Sequence, residues 1–154
     1  ASNATDFAVL LIDLDHFKAI NDHYGHETGD RALQQVANTL THNTRGSDYL
    51  FRYGGEEFVV VLVSVTESQA LVIAENLCKR IAMSPVPLGG NERLQITASI
   101  GVSVHDNHPD YERLVGRADA AMYQAKKLGR NRVILADDNT PVPPGIRQIE
   151  QRNS

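Results

Sequence analysis

Four carboxylates stand where this chain could gather them. Asp13 and Asp15 close an apolar run of strand length, and Glu56 and Glu57 follow a Gly54-Gly55 pair. Open α/β sheets collect ligands at the carboxyl ends of their buried strands. Side chains alternate along a strand, so Asp13 and Asp15 would share a face if the strand ran on; the chain is expected to turn there and aim only one of them into a site. If the strand after the glycines pairs beside the first strand, Asp13 and Glu56 come together. Adjacent carboxylates repel unless a cation lies between them. An all-oxygen set suits Mg²⁺ or Mn²⁺ bound together with substrate phosphates. Acids at strand ends are also often merely solvated, and these residues alone leave both readings open.

Other groups could serve a nucleotide. Lys18 can hold phosphate as a point charge. Asn21 and Asp30 together offer a donor, an acceptor and an ionised acceptor, a set able to read a guanine edge. Equally, Asp30 suits the first turn of a helix and Asn21 suits a turn. Lys126, Lys127, Arg130 and Arg132 cluster at an expected helix end, where cations either compensate the helix dipole or clamp a triphosphate. Gly54-Gly55 fits a tight turn or a close ligand approach.

The bulk properties narrow the classes. The chain has 154 residues, 42% hydrophobic and 22% charged, in keeping with one soluble globular domain. A net charge of -4 gives no reason to expect nucleic acid as a partner. A single cysteine, Cys78, excludes a disulfide framework within the chain and fits a cytoplasmic location. No apolar run approaches the roughly 18 residues of a membrane helix. The six histidines lack His-Glu-x-x-His spacing, and Walker A, Gly-x-Gly-x-x-Gly and Gly-x-Ser-x-Gly patterns are absent. Cys78 is expected in the core rather than as a nucleophile.

The elements that must position these groups follow from periodicity. Residues 7 to 13 read as a strand buried on both faces. Helices are expected over 30 to 44, 67 to 83 and 111 to 128, from apolar residues recurring at helical spacing. Strands are expected over 49 to 53 and 57 to 65, joined as a hairpin by the glycines, and over 94 to 104 and 132 to 135. Residues 84 to 91 read as a loop, and Gly129 as the stop of the last helix. The expected fold is α/β (α+β), a mixed central sheet flanked by helices. The domain is expected over residues 5–136. Residues 137–154 read as a flexible tail, and residues 1–4 as a cloning scar, so that the natural protein extends upstream.

Taken together, several segments resemble the GGDEF domain of diguanylate cyclases. They are Arg52-Tyr53-Gly54-Gly55-Glu56-Glu57-Phe58, the Gly-Gly-Glu-Glu-Phe form of the signature, with residues 12–18, Asn21-Asp22, Gly25-His26, Gly29-Asp30 and residues 125–132. The resemblance spans about residues 7 to 135 and implies a palm-like nucleotidyl cyclase architecture whose β-hairpin carries the signature. It implies condensation of two GTP into cyclic di-GMP with release of two pyrophosphates. Asp13, Glu56 and the Leu14 carbonyl would hold two Mg²⁺ or Mn²⁺ ions per site, helped by Glu57. Glu56 would be the base or positioner of the attacking 3′-hydroxyl. Asn21 and Asp30, with His26 nearby, would recognise guanine. Phe17, Lys18, Lys126 and Arg130 would hold phosphates, and Lys18 would also stabilise charge on the leaving pyrophosphate. Each 3′-hydroxyl must attack the other nucleotide's α-phosphate, so the implied active unit is a homodimer with facing sites.

Arg45 and Asp48, separated from Gly54 by five residues, are similar to the family's Arg-x-x-Asp inhibitory site. They imply cyclic di-GMP as an inhibitor as well as the product. The family usually carries an Asp-x-Leu-Thr-x-Leu-x-Asn-Arg stretch before the first strand, which this sequence does not contain. A sensor domain is expected further upstream, and membrane attachment only through such a domain. The competing reading is a catalytically silent module that binds GTP or cyclic di-GMP and signals to a partner.

Overall fold

A computed structural model describes residues 7–105 and 111–137, and of Tyr111 only the backbone. The elements in order are β1 (Phe7–Leu14), α1 (Phe17–Tyr24), α2 (His26–His42), β2 (Tyr49–Arg52), β3 (Glu57–Val63), α3 (Glu67–Ala82), β4 (Val86–Gly89), β5 (Glu92–Leu94), β6 (Ala98–Val104), α4 (Tyr111–Lys127) and β7 (Arg132–Leu135).

Five strands form one sheet in the order β2-β3-β1-β6-β7. β1 lies in the middle, antiparallel to β3 and to β6, while β7 joins β6 in parallel. The sheet is therefore mixed, as expected. The central place of β1 explains its unbroken apolar run, because both of its faces are covered. Ala8, Leu10, Ile12 and Leu14 point to a core shared with α1, α2 and α3. Val9 and Leu11 point the other way, to Leu114, Ala118 and Met122 of α4.

α4 packs directly on the backbone of β6. A Cβ added at Gly101 would stand 2.0 Å from the Ala118 carbonyl oxygen and 2.4 Å from the Met122 nitrogen. This close approach fixes the height of α4 over the sheet, and with it the position of Lys126. On the opposite face, α3 begins where the sequence predicts. Thr66 Oγ1 accepts from Gln69 N at 3.1 Å and Gln69 Oε1 accepts from Thr66 N at 2.9 Å, a reciprocal cap.

Three local expectations differ from the structure. Residues 17–24 form α1, and α2 starts at His26 rather than at 30. α1 has eight residues and buries only Phe17 and Ile20, too little periodicity to announce itself. Gly25, at φ 93°, separates the two helices in a conformation that favours glycine. The loop expected over 84 to 91 contains β4, and the strand expected over 94 to 104 is divided between β5 and β6. β4 and β5 pair only with each other, in an irregular register that tolerates Pro87. Most of the expected tail lies outside the described residues, as does the expected scar.

Candidate active site

The register of the sheet draws the acids together. Asp13 faces Glu57 on β3 and Ser99 on β6, so three polar side chains form one row across three strands. All three are buried, on the α4 side of the sheet. Asp13 thus lies opposite Glu57 rather than Glu56. Glu56 joins the site through the backbone, where its carbonyl accepts the Leu14 N–H at 3.1 Å. The chain then turns, and Asp15 leaves the row.

Asp15 becomes an anchor that sequence spacing did not reveal. Its carboxylate accepts from Thr97 Oγ1 and Ser99 Oγ, both at 2.7 Å, and from the Asn131 backbone N–H at 3.0 Å. Lys126 Nζ adds a fourth contact at 3.2 Å, and also stands 3.3 Å from Asp13 Oδ1. The basic residue expected at the phosphates is therefore buried between the two aspartates. Beyond it the chain carries two left-handed non-glycine residues, Arg130 at φ 64° and Asn131 at φ 49°. Arg130 N donates to Ala125 O at 2.9 Å, so both ends of this turn are tied down. The Nε of Arg130 is buried and makes no hydrogen bond among the described residues.

Burial, the hydrogen bond to Glu57 and the nearby Glu57 and Glu56 charges push the Asp13 carboxyl up to about 8, against the opposing pull of Lys126. Asp15, Glu56 and Glu57 beside Asp13 outnumber Lys126, the cation between the two aspartates, so negative charge is in excess here. That excess, and a donor set made only of oxygens, fits a hard divalent ion. Among the described residues no three metal-binding side chains are gathered into a cage. Mg²⁺ commonly needs only one or two carboxylates beside waters and phosphates, so the donor set remains suitable.

The other expected residues fall into two groups. Asn21 on α1 lies against α2 at Gly29, one residue from Asp30. Asp30, His26 and Lys18 are exposed, and Lys18 pairs with Asp22 at 3.6 Å. Phe17 is the exception, because its ring is buried in the core. Only its backbone N–H, in the first turn of α1, is suited to a phosphate.

The signature turn is pinned by a neighbour. Arg52 donates to the carbonyls of Gly54 at 3.2 Å and Gly55 at 2.6 Å, and its guanidinium lies 5.5 Å from the centre of the Phe58 ring. Gly55 has no atom within 4 Å of where a Cβ would stand, and its φ is not left-handed, so here glycine keeps the approach open rather than enabling the turn.

Arg45 and Asp48 form a forked pair, with Nε to Oδ2 at 3.1 Å and Nη2 to Oδ1 at 2.8 Å. Asp48 is buried and also accepts the Val63 N–H at 3.2 Å, while Arg45 stays half exposed. Burial alone would raise the Asp48 carboxyl, but the Arg45 fork and the backbone donors of Arg45 and Val63 hold it below its usual range. Arg45 borders an open cavity of about 340 Å³ lined also by Val65, Ser68, Gln69, Val72 and Ile73. Cys78 is core, as expected, and burial chiefly, with Glu75 and Asp15, pushes its thiol up to about 11.

The chain as a whole has counterparts among known proteins. The family model described as "Diguanylate cyclase, GGDEF domain" matches residues 1–132. The chain is 46% identical over 131 residues to Diguanylate cyclase DosC of Escherichia coli (strain K12), covering 85% of this chain and 28% of that protein. It resembles the GGDEF domain of DgcB from Caulobacter crescentus in complex with c-di-GMP, with a TM-score of 0.81 and 33% identity, over 86% of this chain and 78% of that one. It also resembles the active GGEEF domain of a diguanylate cyclase from Vibrio cholerae, with a TM-score of 0.80 and 32% identity, over 88% and 85% of the two chains. The chain belongs to the GGDEF domain family of diguanylate cyclases. It spans little more than a quarter of the length of the curated relative DosC.

Proposed function

We propose that this domain condenses two GTP molecules into cyclic di-GMP as a homodimer, and that cyclic di-GMP inhibits it at Arg45 and Asp48. The observation that carries the reading is the register of Asp13 against Glu57, with Glu56 bonded to Leu14 beside them. It supports a site of excess negative charge at the end of β1, next to the signature turn, where nothing lies within 4 Å of a Cβ added at Gly55.

Asp13, Glu56 and the Leu14 carbonyl, helped by Glu57, would hold two Mg²⁺ or Mn²⁺ ions. When bound, such ions offset the charge of the attacking and leaving oxygens. Asn21, Asp30 and His26 recognise the guanine. The α1 amide at Phe17, with Lys18 and Arg130, holds the phosphates. Lys126 shares its charge between the two aspartates and the triphosphate. Glu56 accepts or orients the proton of the 3′-hydroxyl, and in-line placement does much of the rest. Because one domain holds one nucleotide, two sites must face each other about a two-fold axis.

The domain at high concentration, incubated with GTP and Mg²⁺, should yield cyclic di-GMP by mass spectrometry, and Glu56→Ala should not. GTP binding without product would favour a silent binding module.

A further inference from the structure

Gly29 lies inside α2, a 17-residue helix, and its φ is not left-handed. Nothing in its own conformation requires glycine, which is among the least favourable helix residues. Its surroundings do require it. A Cβ at this position would fall 1.8 Å from Asn21 Oδ1, 3.0 Å from Asn21 Cγ and 3.3 Å from Phe17 Cζ. The space a side chain would fill is occupied by the Asn21 carboxamide. That carboxamide oxygen is buried and accepts no hydrogen bond among the described residues. A buried acceptor without a donor is costly. It lies against the turn of helix that also carries Asp30.

We infer that Gly29 is a positioning residue for base recognition: its missing side chain lets the Asn21 carboxamide turn its oxygen onto α2, which fixes the orientation of the amide beside Asp30 for reading a guanine edge. This rests on the reading of GTP as substrate. The nearest obstructing atom is the end of a flexible side chain, so alanine at 29 moves the amide and leaves the helix intact. Alanine also favours the helix. The inference therefore joins two effects that rarely occur together, an unchanged or raised stability and a weakened recognition of one base.

The test is a double-mutant cycle of Gly29→Ala and Asn21→Ala. Binding of α,β-methylene GTP and of its adenine counterpart is measured by calorimetry, and the melting temperature is measured without nucleotide. Gly29→Ala should melt no lower than wild type and bind the guanine analogue about tenfold more weakly, the equivalent of one good hydrogen bond. Its affinity for the adenine analogue should not move. In the Asn21→Ala background the same substitution should change guanine affinity less than about twofold. Undiminished guanine binding by Gly29→Ala overturns the inference, as does an equal loss for both bases or a loss that persists without Asn21. Should Gly29→Ala fail to fold, a folded double variant locates the conflict at the Asn21 amide and supports the pairing; an unfolded one assigns the glycine to helix packing alone. A wild type that binds no guanine analogue removes the nucleotide reading itself, which is a different result from a wild type and a Gly29→Ala variant that bind it equally.

Discussion

Asn131 donates its backbone N–H to Asp15 at 3.0 Å, so a carboxylate just past the first strand holds a turn 116 residues away. Three further donors converge on the same group. Asp15 thereby ties β1 to the start of β6 and to the left-handed turn after α4. Replacing it by asparagine turns part of an acceptor into a donor and leaves Lys126 with less compensation. Asp15→Asn should cost on the order of 3 kcal/mol, as expected for breaking a buried ion pair. Urea denaturation of the variant checks this, and a cost under about 1 kcal/mol would contradict the anchoring role.

Asp13 should behave in the opposite way. Its carboxyl keeps its proton in the fold up to about pH 8, whereas the unfolded chain releases it near 3.8. Between these values the native state binds more protons, so stability falls as pH rises. The contribution is complete below the unfolded value and gone above about 8. In chelator, the urea midpoint should therefore drop between about pH 5 and about pH 8. Asp13→Asn should flatten that slope, and added Mg²⁺ should raise the wild-type midpoint most at the higher pH. A wild-type midpoint that rises over this range would refute the assignment.

Arg52 holds the two glycine carbonyls of the signature turn but is itself exposed. Its loss should change stability by less than about 1 kcal/mol. On the proposed reading, the turn it releases carries Glu56, and misplacing a reacting group by a fraction of an ångström is costly. Arg52→Ala should lower kcat for cyclic di-GMP formation about tenfold with little change in KM. A raised KM at unchanged kcat would instead make Arg52 a nucleotide contact.

Arg45→Ala removes the fork from a buried carboxylate that keeps only the backbone donors of Arg45 and Val63. The fold should lose about 1 kcal/mol, a modest figure because Arg45 is half exposed. If cyclic di-GMP acts in the adjoining cavity, progress curves that bend as wild-type product accumulates should straighten in this variant. Curves that bend equally would separate Arg45 from product inhibition.

Much of this arrangement was legible in the chain. The apolar run of β1, the glycine turn and the helical spacing of α3 and α4 each reflect one local rule, and each appears where expected. That Glu57 stands directly opposite Asp13, with Glu56 beside Leu14, could not be read, because register depends on pairing between strands rather than on either strand alone. The anchoring by Thr97, Ser99 and Asn131 could not be read, since those residues meet Asp15 only after the sheet has formed. α1 was missed because two buried side chains in eight residues make no period. Gly29 appeared only as part of a motif; its reason lies in the Asn21 side chain of another helix.

The alternation of Glu57 and Phe58 at the start of β3 sets a tolerance on the turn before it. Glu57 looks toward α4 and Phe58 toward the core under α2 and α3. Lengthening the glycine turn by one residue could slide β3 one step along β1 and exchange the two. A carboxylate would then enter an oily layer while an aromatic ring took its place among the acids. Adding two residues would restore the parity but carry Glu56 away from Leu14. The turn works as a spacer of fixed length, so natural variation there should substitute residues freely at some positions yet almost never insert or delete them.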